Sequence, residues 1–171
     1  MPAEPVIHPT AVLMPGAQVI GRVTIGPECF IGPNAVLRGD IEPITLGRGS
    51  NVQDNCTLHT HAGNPVTVGD HVSIGHGAVV HGATLEDRCL VGMNAVVLDK
   101  AVVGTHSVVG ALTLVPQGFR VPPRSLAVGI PARIVKHDDQ AVADMAFHNA
   151  ERYLTYRRQH EAGEFARVLG R

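Results

Sequence analysis

From Ile7 onward an aliphatic residue returns at every sixth position: Ile7, Leu13, Val19, Ile25, Ile31 and Leu37 stand in unbroken phase. The step resumes as Leu46, Val52 and Leu58, then as Val68, Ile74 and Val80, and finally from Leu85 through Val91, Val97, Val103, Val109 and Val115 to Val121. A helix needs apolar residues three and four apart and a half-buried strand needs alternation, so neither element has this period. The repeating unit is therefore a short strand plus a turn. Three units close one triangular coil of about eighteen residues, with the aliphatic pointing into the prism and small residues at the corners. Glycine follows the aliphatic at Gly26, Gly32, Gly47, Gly69, Gly75, Gly92, Gly104 and Gly110.

The pattern resembles that of the hexapeptide-repeat proteins, which implies a left-handed parallel β-helix; the handedness comes from the resemblance, since the spacing does not specify it. The repeat ends at SLAVGIPARIVK, and a different texture begins near Asp138. There Val142, Met145, Asn149, Tyr153 and Tyr156 recur three and four apart, which predicts an α-helix running to about Gln159. The predicted organisation is an all-β, left-handed parallel β-helix over 1–136 with a C-terminal α-helical segment, 137–171, packed alongside. Composition agrees: 19 Gly, 12 Pro and many Val and Ile, with no Trp, suit short strands and tight turns better than a wide core.

The same composition excludes several function classes. Lys+Arg 14 against Asp+Glu 15 leaves a net charge of −1 and no basic run to track a phosphate backbone, so no nucleic-acid partner is expected. The opening MPAEPVIHPT lacks the basic and apolar regions of a signal peptide, and no apolar stretch is long enough to span a bilayer. A cytoplasmic chain with no membrane partner is the expectation. Cys29, Cys56 and Cys89 are odd in number and form no CxxC pair, so they read as small buried apolar residues.

Histidine carries the functional signal. Counting faces from Leu46, Val52 and Leu58 lie on the second and third; after a loop, Val68, Ile74 and Val80 occupy the first, second and third again. Leu58 and Val80 therefore differ by one coil plus a four-residue insertion, and His59 and His81, each one residue further, stack on the third face about 4.8 Å apart. One metal ion can bridge two such rings. The same counting places Arg38 in that outward column. His76 belongs to the second face, around a corner, and reaches the same ion only from a neighbouring copy, so a homotrimer with three interfacial sites is the predicted assembly. Gln53, among the glycines beside His76, is expected to reach into that interface. Imidazole-only coordination marks a catalytic Zn2+ site, and Fe2+ or Co2+ suits the same ligands.

At these residues the chain resembles the γ-class carbonic anhydrase family. The likeness is carried by RGD at Arg38 to Asp40, NVQDN at Asn51 to Asn55, LH at His59, SIGHG at His76, VVHG at His81, the GIPARIV exit and NAERY in the helix. It implies His59 and His81 of one subunit and His76 of the next as zinc ligands. It further implies an Arg38–Asp40 interface ion pair that orients bicarbonate, Gln53 bonded to the metal's water with Asp54 beside it, and Asn149 and Tyr153 closing the pocket. The implied reaction is a lyase's reversible hydration of carbon dioxide to bicarbonate. The chain departs from the family in two places: THAGNP follows the first ligand where active members carry a glutamate proton shuttle, and Ile41 follows Asp40 where a second glutamate is expected. His61 is the remaining loop group that could relay protons. Three other functions fit the repeat: a zinc-dependent thioesterase at the same site, acting on a small acyl-coenzyme A thioester; a hexapeptide acyltransferase with a histidine base; and a non-catalytic trimeric scaffold.

Overall fold

The structure, a computed structural model, describes residues 3–166. Nearly every strand is two or three residues long, from Val6–Ile7 and Val12–Leu13 at one end to Arg120–Val121 and Leu126–Val128 at the other. Each pairs in parallel with the strand one coil away, and the aliphatics meet in register: Leu37 with Leu58, Leu58 with Val80, Val80 with Val97, Val97 with Val115. This is a left-handed parallel β-helix. The second face forms its own eight-stranded sheet, whereas the first and third are joined into one by the long strands Gln18–Ile25 and Val36–Leu46, which carry the chain around a corner without a break. The GDIEP segment lies within the second of these.

The inward positions make a single column of buried aliphatics, among them Ile31, Leu37, Val52, Leu58, Ile74, Val80, Leu85, Val91 and Val97, with none of their surface exposed. Ile7 and Leu13 are in phase but 39% and 36% exposed, because they belong to the first described coil and are covered from one side only. The sharp bends do not fall on the glycines that follow each aliphatic. Positive φ occurs further along, at residues such as Asn34 (58°), Asn55 (60°) and Asn94 (54°), a conformation asparagine tolerates. Gly92 serves a different need: a Cβ there would lie 2.5 Å from the Ala111 nitrogen of the next coil, so the backbones approach too closely for any side chain.

The coil is closed by an antiparallel return, Arg133–Lys136 on Leu126–Val128, and then by α1, Gln140–Glu161. Asp139 caps α1 by accepting from the Val142 N–H at 3.1 Å, and Lys136 beside it holds its carboxyl below the usual range. The helix docks through Val142, Ala143, Ala146 and Ala150, whereas Met145 (55%) and Tyr156 (41%) are exposed. The predicted stripe is thus displaced: a helix lying flat on a sheet meets it through small side chains, and the alanines carried no signal in the spacing. Arg157 fixes the far end, its Nη1 donating to the Thr10 carbonyl at 3.2 Å and to Glu161 at 2.9 Å. Among the described residues no helix is long and apolar enough to cross a membrane.

Two outcomes follow. Gly92→Ala is expected to lower stability by about 1–3 kcal/mol by forcing two coils apart, measured by urea unfolding; an unchanged midpoint would remove the close-approach role. All three cysteines are buried, and burial pushes the Cys29 and Cys56 thiols up to about 11 and Cys89 higher still. They stay protonated and unreactive toward iodoacetamide at pH 8 in the folded chain and react after unfolding; rapid modification of the native chain would contradict the packing.

Candidate functional site

The parallel ladder sets His59 opposite His81 and Arg38 opposite His59, in one outward column on the third face. The rings lie with centroids 5.1 Å apart, and His59 Nδ1 stands 3.1 Å from His81 Nε2. Each ring's other nitrogen meets a carboxylate: His59 Nε2 is 3.1 Å from Asp40 Oδ1, and His81 Nδ1 is 2.6 Å from Asp99 Oδ1. Arg38 Nη1 donates to Asp40 at 2.5 Å and holds that carboxyl below the usual range, so Asp40 is an acceptor for the His59 N–H. In the tautomer with both outer nitrogens donating to carboxylates, the two inner nitrogens, 3.1 Å apart, are both acceptors. Two lone pairs this close favour a guest that is a hydrogen-bond donor or a cation.

The donor set fits a metal. Bonds of about 2.0–2.1 Å to a tetrahedral ion put two nitrogens about 3.3 Å apart, near the observed separation, and a carboxylate behind each imidazole is the usual support for a ligating histidine. Among the described residues no cluster of three such groups forms within one copy.

His76 lies on the second face, in the Gly75 corner after Ser73–Ile74, away from the pair. Its Nδ1 is 3.2 Å from Asp54 Oδ2 and its Nε2 is 3.3 Å from the Tyr153 hydroxyl of α1. Burial, with Asp54 nearby, pushes the Tyr153 phenol up to about 12, so it remains an O–H donor at neutral pH. Gln53 is buried and turned inward: its Nε2 donates to Asn51 and its Oε1 accepts from the His76 backbone N–H. Asn149 stands one turn from Tyr153, with its Oδ1 buried and unpartnered. Gln53, His76, Asn149 and Tyr153 border a groove of about 500 Å³ between α1 and the second face. His61 closes a short bridge with Asn64 in the loop between coils, away from His59's bonded atoms.

The structure thus brings together Arg38, Asp40, His59 and His81 as one group, and Gln53, Asp54, His76, Asn149 and Tyr153 as another. Sequence reasoning missed Asp99. The coil from Val80 to Val97 is seventeen residues, so register puts Leu98 opposite His81 and Asp99 one residue further, where its carboxylate reaches back to the ring.

Comparison with known proteins now bears on this geometry. Residues 4–39 match the family described as bacterial transferase hexapeptide (six repeats), and 22–59 and 65–99 match the hexapeptide repeat of succinyl-transferase. The carnitine operon protein CaiE of Escherichia coli K12 is 44% identical over 138 residues, 80% of this chain and 70% of CaiE. The chain belongs to the hexapeptide-repeat transferase family. A hexapeptide transferase family protein from Anaplasma phagocytophilum superposes with a TM-score of 0.87 at 33% identity, covering 91% of this chain and 92% of that one. A hexapeptide-repeat acetyltransferase of Vibrio cholerae, solved with acetyl coenzyme A, gives 0.58 at 26% identity over 72% of each chain.

These relatives overturn the lyase expected from the carbonic anhydrase likeness, since they are an acetyltransferase, a hexapeptide transferase family protein and a carnitine operon protein. The motifs behind that likeness are short segments on a fold that hosts more than one reaction.

Arg38→Ala is expected to return the Asp40 pKa upward toward its ordinary value, read by carboxyl NMR titration. The pair's contribution is present above the ordinary carboxylate pKa and fades as pH falls through the lowered one. An unmoved Asp40 titration would break the chain from Arg38 to His59.

Proposed function

We propose that this chain, as a homotrimer, transfers the acyl group of an acyl-coenzyme A thioester at a site made by His59 and His81 of one copy and His76 of the next. One observation carries the reading: two imidazole acceptors, each held by a carboxylate behind it, converge on a single point. A protic nucleophile presents the donor that this point favours. His81, oriented by Asp99, takes the proton from the attacking O–H or N–H as the new bond forms to the thioester carbonyl; the C–S bond breaks, and the thiolate leaves with that proton. The acetyl coenzyme A held by the Vibrio relative supports the donor class. The trimer is supported by the third face, whose outward column Val36, Thr57, Val79, Val96 and Leu114 is largely aliphatic and half-buried in one copy.

The same convergence favours a second reading, with water as the acceptor. Zn2+ held by His59, His81 and a neighbour's His76 would supply Lewis-acid polarisation for thioester hydrolysis, with Fe2+ or Co2+ in the same place as alternatives. Asp40 and Asp99 would then hold the two rings in the ligating orientation.

Release of free thiol from acyl-coenzyme A distinguishes the readings. Transfer predicts release that requires an added amine or alcohol and survives chelation; hydrolysis predicts release without acceptor, lost on chelation and restored by zinc. His81→Ala is expected to cut either rate at least 100-fold. No thiol release from any acyl-coenzyme A, with or without metal and acceptor, would contradict the proposal and leave a scaffold.

A further inference from the structure

The groove beside His76 is much longer than thioester chemistry requires. It runs from Gln53 across Gly75 and Gly92 to Gly110, three coil spacings or about 14 Å. Its floor is bare backbone, for the reason given at Gly92: a Cβ at Gly75 would also strike the next coil, 2.9 Å from the Met93 nitrogen. The far walls are apolar, formed by Val108 and Leu126 from the coil and Met145 from α1. Met93 and Met145 form the lips, 54% and 55% exposed, and unbranched thioethers adapt to a chain lying between them.

Polar groups line it at the His76 end and along α1, where Asn149, Arg152, Tyr153 and Tyr156 face the coil. Tyr153 lies at the mouth, and Asn149 stands one helical turn deeper, about 5.4 Å further along. Its buried Oδ1 accepts from nothing in the chain. A buried acceptor without a donor is costly, and Asn149 is one of the residues that line this groove. The occupant that matches has an aliphatic body, a carbonyl at the His76 end and a single O–H donor a few carbons in.

From this we infer that the groove holds the acyl chain of the substrate, and that the preferred chain is of medium length with a hydroxyl close to the thioester. The inference rests on the acyl-thioester reading of the site and names the acyl group that reading leaves open.

The test uses cleavage-resistant ketone analogues of acyl-coenzyme A, with a methylene between sulfur and carbonyl, titrated calorimetrically into the intact protein. The octanoyl analogue should bind at least tenfold tighter than the acetyl analogue, and the 3-hydroxyoctanoyl analogue roughly tenfold tighter again. Met145→Trp, a change at an exposed lip, should narrow the length preference to less than threefold, with Met93→Trp as an independent variant. Asn149→Leu should abolish the advantage of the hydroxyl while keeping that of length. Equal affinity for all three analogues, or a length preference untouched by both tryptophan variants, would overturn the inference; a hydroxyl preference surviving Asn149→Leu would overturn its second half. Selective binding without thiol release from any true thioester would defeat the acyl-transfer reading and leave the groove standing. Thiol release indifferent to chain length would do the reverse.

Discussion

Everything in this molecule depends on stacking one coil directly on the last through parallel backbone hydrogen bonds. Once coils are held at the parallel-strand spacing, each inward aliphatic meets its equivalent above and below, and the core becomes a column one side chain wide. The same constraint acts outward. Any two residues one coil apart share a face and lie close enough to interact, so the surface is written in columns, and Arg38, His59 and His81 form one of them. Stacking also fixes where side chains are forbidden: the bare floor beside α1 exists because glycine is needed there for coil contact.

The candidate site follows from those columns with few additional parts. Two carboxylates from adjoining coils, Asp40 and Asp99, each take one imidazole N–H, and Arg38 keeps the first of them charged. What remains is the pair of inner nitrogens, 3.1 Å apart and facing one another. The helix adds a second polar group around the corner, where Tyr153 and Asp54 hold the His76 ring. In one copy these groups do not meet. Beside the column of Arg38, His59 and His81 the third face carries mostly aliphatic residues, and joining it to the second face of another copy is the arrangement in which both groups border one space.

Much of this was legible as arithmetic. The hexad phase gave the prism, and the four-residue insertion between Leu58 and Val80 was enough to pair His59 with His81, because a parallel coil leaves no freedom of register. Asp99 was less legible: the coil after Val80 is one residue short, so counting sets Leu98 opposite His81 and leaves Asp99 one position beyond the column. The helix was harder. Its packing face is alanine, whose spacing conveys little, and the larger Met145 and Tyr156 suggested the wrong edge. Gln53 was expected to point outward, yet partners on Asn51 and His76 turn it in, and no periodicity reports a side-chain hydrogen bond. The reaction class was misread for a different reason: short motifs on a repeat scaffold resemble a lyase's, whereas the relatives over most of the chain are a hexapeptide transferase family protein and a carnitine operon protein.

The central claim is that the site is shared between copies, and mixing two inactive variants tests it most directly. His76→Ala and His81→Ala, each purified alone, should release no thiol from acyl-coenzyme A. After unfolding and refolding together in equal amounts, the mixture should recover roughly a quarter of the wild-type rate, the fraction of interfaces at which random assembly unites an intact His59–His81 pair with an intact His76. A mixture as inactive as its parents, from wild-type protein that survives the same treatment, would contradict the account and place the site within a single chain.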